Sequence, residues 1–308
     1  MAAKHATPLQ TMLVDKDFDG EVFPHEPMGK HTSYRIGGPA RFFVRVDSIS
    51  ALTQLIGVCD REGIEWMIVG RGTNLLVSDE GYDGVIIILG RDFRSHVVDA
   101  EAGLIIAGAG ATLSSVVQDS FRSSLAGLEF AVGTPGSIGG AIRMNAGSRD
   151  EWIGSLVRDV TTYSPSRGLT KRLASDIDWQ YRYTDFDANE TILECALNVE
   201  IVDPFFIRGK MEANLAKRKR TQPLNMPSCG SVFKNPEGAS AAKMIDDLGL
   251  KGTTIGGAQI SEKHANFIVN LGDAKAADVC GLMQLAGTRV QEEYGIELKP
   301  EVRLIGFE

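Results

Sequence analysis

Three stretches of this 308-residue chain carry side chains whose types and spacing suit chemistry. The first is Gly70-Arg71-Gly72-Thr73-Asn74-Leu75-Leu76-Val77, directly after the apolar run at 66–69. A Gly-x-Gly turn behind a buried strand can aim consecutive backbone N–H groups at a phosphate. The dinucleotide fingerprint needs a third glycine and a following helix, whereas Thr-Asn and a β-like run follow here. An anion site in this place is therefore a nest between two strands; taken alone, an ordinary tight turn is the simpler account. The second stretch, 133–147, holds five glycines in fifteen residues, with Thr134, Pro135, Ser137 and Asn145 among them. Glycine costs backbone entropy, so such a run needs a steric reason, and close approach of a large flat or phosphorylated ligand supplies one. No Gly-Lys-Ser/Thr occurs, which removes a Walker loop and nucleotide hydrolysis.

The third stretch is Ser228-Cys229-Gly230-Ser231-Val232-Phe233-Lys234-Asn235-Pro236. It crowds two hydroxyls, a thiol, an amine and an amide into one Pro-bounded loop. The Gly-x-Ser-x-Gly elbow is not matched, and none of the five histidines lies nearby in sequence. A structured loop and a site explain it equally well, and Cys229 has no basic partner that would make it a nucleophile. In Tyr181-Arg182-Tyr183 an Arg between aromatics suits either a packed cation–π cluster or a fixed carboxylate binder. Glu301 opens the terminal strand, where a carboxylate is ordinarily a solvated rim residue. His31 and His264 are open to a ligand or a surface reading, and no metal-ligand spacing occurs anywhere.

The elements that would position these residues mix without a steady βαβ alternation, which favours an α+β fold. Strands are expected at 41–46, 66–69, 75–77, 85–89, 104–107, 157–163, 192–202 and 302–305. Asp47 or Ser48 caps a helix carrying Leu52, Leu55, Ile56 and Cys59, with Gly63 as its stop. Further helices are expected at 113–121, at 205–220 (basic and amphipathic), from Ser240 to Leu248, and beyond a cap at Asp273. The organisation is a loose leader (1–21), a first unit (22–92) that the terminal strand (300–308) rejoins, a strand-rich second unit (93–204) and a third (205–299). Net charge is −8 and 43% of residues are hydrophobic, the profile of a soluble enzyme rather than a nucleic-acid binder. Four scattered cysteines without a CxxC imply reduced thiols in the cytoplasm. Neither a secretory segment nor an 18-residue apolar run occurs, so no membrane insertion is expected.

The segments His31-Thr32-Ser33-Tyr34-Arg35-Ile36-Gly37-Gly38-Pro39-Ala40, 70–77, 133–147, 181–183 and 228–236, in one order and followed by Pro300-Glu301-Val302-Arg303, closely resemble the UDP-N-acetylenolpyruvoylglucosamine reductase (UDP-N-acetylmuramate dehydrogenase) family. The resemblance runs from about residue 22 to the end. It implies a vanillyl-alcohol-oxidase/PCMH-type FAD-binding fold in two subdomains, plus a C-terminal α+β substrate-binding domain. It also implies non-covalent FAD held by Arg35, Gly37, Gly38, Gly70, Arg71, Gly72, Thr73, Asn74, Leu75, Leu76, Thr134, Pro135, Gly136, Ser137, Gly140 and Asn145. NADPH would reduce the flavin, and UDP-N-acetylglucosamine enolpyruvate would then be reduced in a cytoplasmic step of peptidoglycan precursor synthesis.

By the same resemblance Ser231 donates the proton, while Arg182 and Glu301 hold and polarise the substrate carboxylate. Tyr181, Arg182, Lys234 and Asn235 would contact substrate. The stretch 192–206 leaves no room for the long mobile insertion of some relatives, which implies the shorter, loop-lacking type. A monomer is the simplest assembly to expect. Two rivals remain: an FAD-dependent sugar-alcohol or lactone oxidase of the same fold, with His31 the first suspect for flavin attachment, and a non-catalytic nucleotide-sugar-binding regulator.

Overall fold

The computed structural model describes residues 7–13 and 17–307. Contacts divide the chain into two compact units. One comprises 1–26, 41–70 and 83–214; the other comprises 27–40, 71–82 and 215–308. Part of the leader lies outside the described residues. The part that is described forms a short helix, Pro8–Leu13, rather than a loose segment, because Leu9 and Leu13, four apart, are both buried and the Leu9 N–H donates to Glu62 at 2.7 Å.

The first unit holds two sheets. One is four-stranded; its strands Gly20–Pro27, Pro39–Val46, Tyr82–Leu89 and Trp66–Ile68 lie in that spatial order, the last two parallel in the register Trp66↔Val85 and Ile68↔Ile87. The helix Ile49–Glu62 packs Leu52, Leu55, Ile56 and Cys59 inward. Ser48 caps it by accepting from the Ala51 N–H at 3.3 Å, and Gly63 ends it in the left-handed conformation, φ +63°. The other sheet is antiparallel, with Gly168–Leu173, Val157–Ser164, Thr191–Asn198, Leu104–Gly108 and His96–Asp99 side by side. The strand expected over 192–202 breaks at Val199, and Glu200–Ile201 leaves to pair with Leu125–Ala126. The Gly-rich stretch is not all loop. Ser137 accepts from the Gly140 N–H and starts the helix Ile138–Arg143.

In the second unit the helix Ala276–Tyr294 buries Val279, Leu282, Met283, Ala286 and Val290 against Tyr34, Leu76, Phe233, Ile245 and Ile268. Its start differs from the expected Asp273 cap. Asn270 Oδ1 already accepts from the Gly272 and Ala274 N–H groups, and the helix begins three residues beyond Asp273. The carboxylate over its first turn is Asp79, which accepts from Ala276 N–H at 2.8 Å and Ala277 N–H at 3.0 Å. Leu75–Val77 and Arg303–Ile305 pair in parallel, Leu75 opposite Arg303. The helix Pro204–Thr221 buries only Ile207 and Met211 of its 18 residues and so lacks the expected apolar stripe. Among the described residues no helix is long and apolar enough to cross a membrane.

Candidate functional site

The assigned residues fall into two groups. The first unit holds Gly70, Thr134, Pro135, Gly136, Ser137, Gly140, Asn145, Tyr181 and Arg182. The second holds Arg35, Gly37, Gly38, Arg71, Gly72, Thr73, Asn74, Leu75, Leu76, Ser231, Lys234, Asn235 and Glu301.

Within the second unit, Ser231 and Glu301 are held by one backbone arrangement. Ser231 bridges to Phe267, and Phe233 bridges to Pro300. The Glu301 N–H donates to Val232 O at 2.8 Å, and Asn74 Nδ2 donates to Glu301 O at 3.0 Å. Asn266, 2% exposed, clamps Phe233 from both sides: its Oδ1 accepts from the Phe233 N–H and its Nδ2 donates to Phe233 O. The hydroxyl and the carboxylate therefore sit on adjacent extended segments fixed by buried hydrogen bonds. Neither Asn266 nor Asp79 is conspicuous in sequence; the one visible hint for Asn266 is its polarity between the apolar Ala265 and Phe267. Lys234 is joined through its N–H to Lys299 O, and Asn235 Oδ1 accepts from the Ala241 N–H.

Cys229 is not a nucleophile. Burial, opposed by the Tyr34 hydroxyl and reinforced by the charge of Glu301, pushes its thiol up to about 12. His264 is kept neutral by burial and by Lys251, and its Nδ1 accepts from the Asn266 N–H, so it supports the loop.

In the first unit Tyr181 and Arg182 are the two connecting residues of the hairpin Trp179–Gln180/Tyr183–Thr184. The Arg182 Cζ lies 5.3 Å from the Tyr181 ring centroid, Arg149 approaches the same ring at 5.9 Å, and Arg182 Nη1 donates to Gly147 O at 2.7 Å. Of five non-glycine residues at positive φ among those described, three are assigned site residues: Arg35 (+57°), Asn145 (+41°) and Arg182 (+56°). Backbone held in this region marks positions that the surroundings over-determine.

The glycines need a revised reason. A Cβ on Gly72 would lie 1.9 Å from His31 O, on Gly38 2.1 Å from Asp79 O, and on Gly139 2.8 Å from the Ala109 Cβ. The protein's own chain, rather than a ligand, excludes side chains there. Gly140 is different: its added Cβ would meet only Ser137 Oγ, at 3.4 Å, and the residue is exposed. Among the described residues the N–H groups of Arg71, Gly72 and Thr73 find no acceptor. Consecutive unspent amides around a left-handed glycine form an anion nest, the donor set that the pyrophosphate of a flavin dinucleotide requires.

A mixed α+β architecture with this nest suits a dinucleotide, and a family model for an FAD binding domain matches residues 40–164, which makes this a flavin-binding protein. A second, for the C-terminal domain of UDP-N-acetylenolpyruvoylglucosamine reductase, matches 222–305. The reductase of that name from Heliobacterium modesticaldum is 42% identical over 295 residues, covering 95% of this chain and 93% of the relative. That from Caldanaerobacter subterraneus is 40% identical, covering 94% and 95%. The crystal structure of the Thermus caldophilus enzyme superposes with a TM-score of 0.80 at 32% identity, over 93% of this chain and 98% of that one. The chain belongs to the UDP-N-acetylenolpyruvoylglucosamine reductase family, and is an FAD-dependent oxidoreductase.

Proposed function

We propose that the protein uses NADPH to reduce UDP-N-acetylglucosamine enolpyruvate to UDP-N-acetylmuramate, in the cytoplasm, for peptidoglycan precursor synthesis. FAD, when bound, supplies the hydride that adds to C3 of the enolpyruvyl group. The nest at Arg71–Thr73 and the exposed backbone at Gly140 suit its pyrophosphate and ring. The pair of electrons displaced from the C2–C3 double bond moves toward the substrate carboxylate, giving an enolate. Arg182 offers that carboxylate a guanidinium and offsets the charge that develops on it. Ser231 holds the proton that goes to C2, and Glu301 is assigned to polarising the same carboxylate. A serine is a poor acid in water, but an enolate is strongly basic and the transfer needs only a short, fixed hydrogen bond. Lys234 and Asn235 are assigned to the diphosphate.

The observation that carries this reading is the backbone lock between 231–233 and 300–302, which holds Ser231 and Glu301 on neighbouring segments. The test is a pair of half-reactions followed by flavin absorbance without oxygen. NADPH should bleach the yellow protein and the enolpyruvyl sugar nucleotide should restore the colour. Ser231→Ala should bleach normally yet recolour roughly 10²–10⁴-fold more slowly, the usual worth of a general acid. Fast recolouring in that variant would remove Ser231 from the role; no recolouring in the parent protein would remove the substrate.

A further inference from the structure

Asn145 sits at the join between the Gly-rich stretch and the Arg182 hairpin. Its side chain is buried, 5% exposed, and both ends of the amide are used: Oδ1 accepts from the Gly154 N–H at 3.1 Å, and Nδ2 donates to Gln180 O at 2.9 Å. An aspartate could keep only the first of these bonds and a leucine neither. Gln180 is the last residue before the Tyr181–Arg182 connection. The far side of the hairpin is tied to the same stretch, since Thr184 Oγ1 donates to Arg143 O at 2.8 Å and Arg182 Nη1 to Gly147 O at 2.7 Å. Three successive odd-numbered residues, 143, 145 and 147, thus hold the hairpin at three points.

The hairpin needs such support. A two-residue connection whose second residue is left-handed ordinarily carries Gly or Asn there, and here it carries Arg182 at φ +56°. Asn145 is itself left-handed, φ +41°, which aims its side chain back under Gln180 rather than along the chain. Gly154 closes the arrangement: a Cβ there would lie 2.4 Å from the Trp179 ring and 2.9 Å from Asn145 Oδ1, so its backbone presses on both.

We propose that Asn145 is a positioning residue for the oxidative half-reaction: it spends its amide on the protein, not on the cofactor, and by holding Gln180 O sets where the Arg182 guanidinium stands. This rests on Arg182 meeting the substrate carboxylate. A displacement of about 1 Å in a group that orients the reacting centre costs up to roughly 10²-fold in rate.

The experiment compares Asn145→Ala, Asn145→Asp, Arg182→Ala and the double variant N145A/R182A, each as the flavin-loaded protein. Both Asn145 variants should recolour about 10–100-fold more slowly with the enolpyruvyl substrate, with a raised KM. Bound flavin per chain and the NADPH bleaching rate should stay within about twofold. The aspartate variant should be as slow as the alanine one although it keeps the Gly154 bond. The double variant should be no slower than Arg182→Ala alone, and hydrogen exchange of the 179–184 peptide, measured without substrate, should accelerate in Asn145→Ala. Asn145→Gly, which suits the left-handed backbone and lacks the amide, replaces the alanine variant if that one does not fold. Loss of flavin, equal slowing of both half-reactions, or a double variant slower than R182A overturns the proposal. If R182A is slow and N145A is not, the positioning role alone fails; if R182A recolours normally, the role of Arg182 fails and the proposal with it.

Discussion

Removing the Asp79 carboxylate tests how the second unit is assembled. Asp79 lies 197 and 198 residues before the amides of Ala276 and Ala277, and it satisfies two of the four N–H groups that open a 19-residue helix. It sits at the end of the segment that carries the Arg71–Thr73 nest, so the same bonds fasten that segment to the helix. An N-cap acceptor is worth about 0.5–2 kcal/mol, and an anion at a helix N-terminus about 0.3–1 kcal/mol more. Asp79→Ala should therefore cost about 1–3 kcal/mol. Asp79→Asn, which keeps one acceptor oxygen and loses the charge, should cost about 0.5–1 kcal/mol. For a chain of this size each kcal/mol lowers Tm by roughly 2 °C. Urea unfolding followed by circular dichroism measures the difference, with tryptophan fluorescence as a second probe of two-state behaviour. In about 1 M salt the gap between the Asn and Ala variants should stay while the charge contribution shrinks, since the Debye length there is only ~3 Å. An alanine variant within about 0.3 kcal/mol of the parent would refute the remote-cap reasoning, because the part-buried Ala276 N–H and the exposed Ala277 N–H would then have found water at no cost.

Two glycines give opposite expectations. Gly72→Ala places a methyl 1.9 Å from His31 O at φ +62° and should prevent normal folding, read as loss of soluble protein or of the cooperative thermal transition. Gly140→Ala adds a helix-favouring methyl whose one contact is Ser137 Oγ at 3.4 Å and should leave Tm unchanged or slightly raised, yet weaken retention of FAD measured by flavin absorbance after dialysis. Equal flavin retention in that variant would remove Gly140 from the ring's neighbourhood. Burial raises the thiols of Cys59 and Cys229 to about 12 from a usual value near 9, so folding keeps them protonated. The stability this contributes is fully present below about pH 8.5 and is lost as pH rises toward 12. Cys229→Ala should make that alkaline loss shallower, and in the native protein at pH 8 a thiol reagent should leave both groups largely unreacted.

Much of the local structure was legible in the chain. Ser48 and Gly63 bracket their helix because both signals act within one turn of backbone, and Ser240 caps its own for the same reason. The strand at 104–108 announces itself by the apolar run Leu104-Ile105-Ile106-Ala107. What failed to read locally was governed from a distance. Asp273 has the type and position of a cap, but the helix starts later: Asn270 takes the Gly272 and Ala274 amides ahead of it and Asp79 takes those of Ala276 and Ala277. The leader helix forms because Glu62 and the helix above it receive Leu9 and Leu13, a partner that its own composition cannot declare.

The site divides along the same line. Ser231, Arg182 and Glu301 stand out by order and motif, and the roles proposed for them rest on residue type and resemblance rather than on packing. The glycine excess, too, correctly marked where backbones come close. Only the tertiary structure decided what they come close to: at Gly38, Gly72 and Gly139 it is the protein's own chain, and at Gly140 there is room left over. It likewise decided that Asn145 faces inward to the Arg182 hairpin and that Asn74 serves Glu301. The physical reason is that a sequence specifies which donors, acceptors and torsions are available within a few residues, whereas the partner of each buried polar group is chosen by satisfaction across the whole fold.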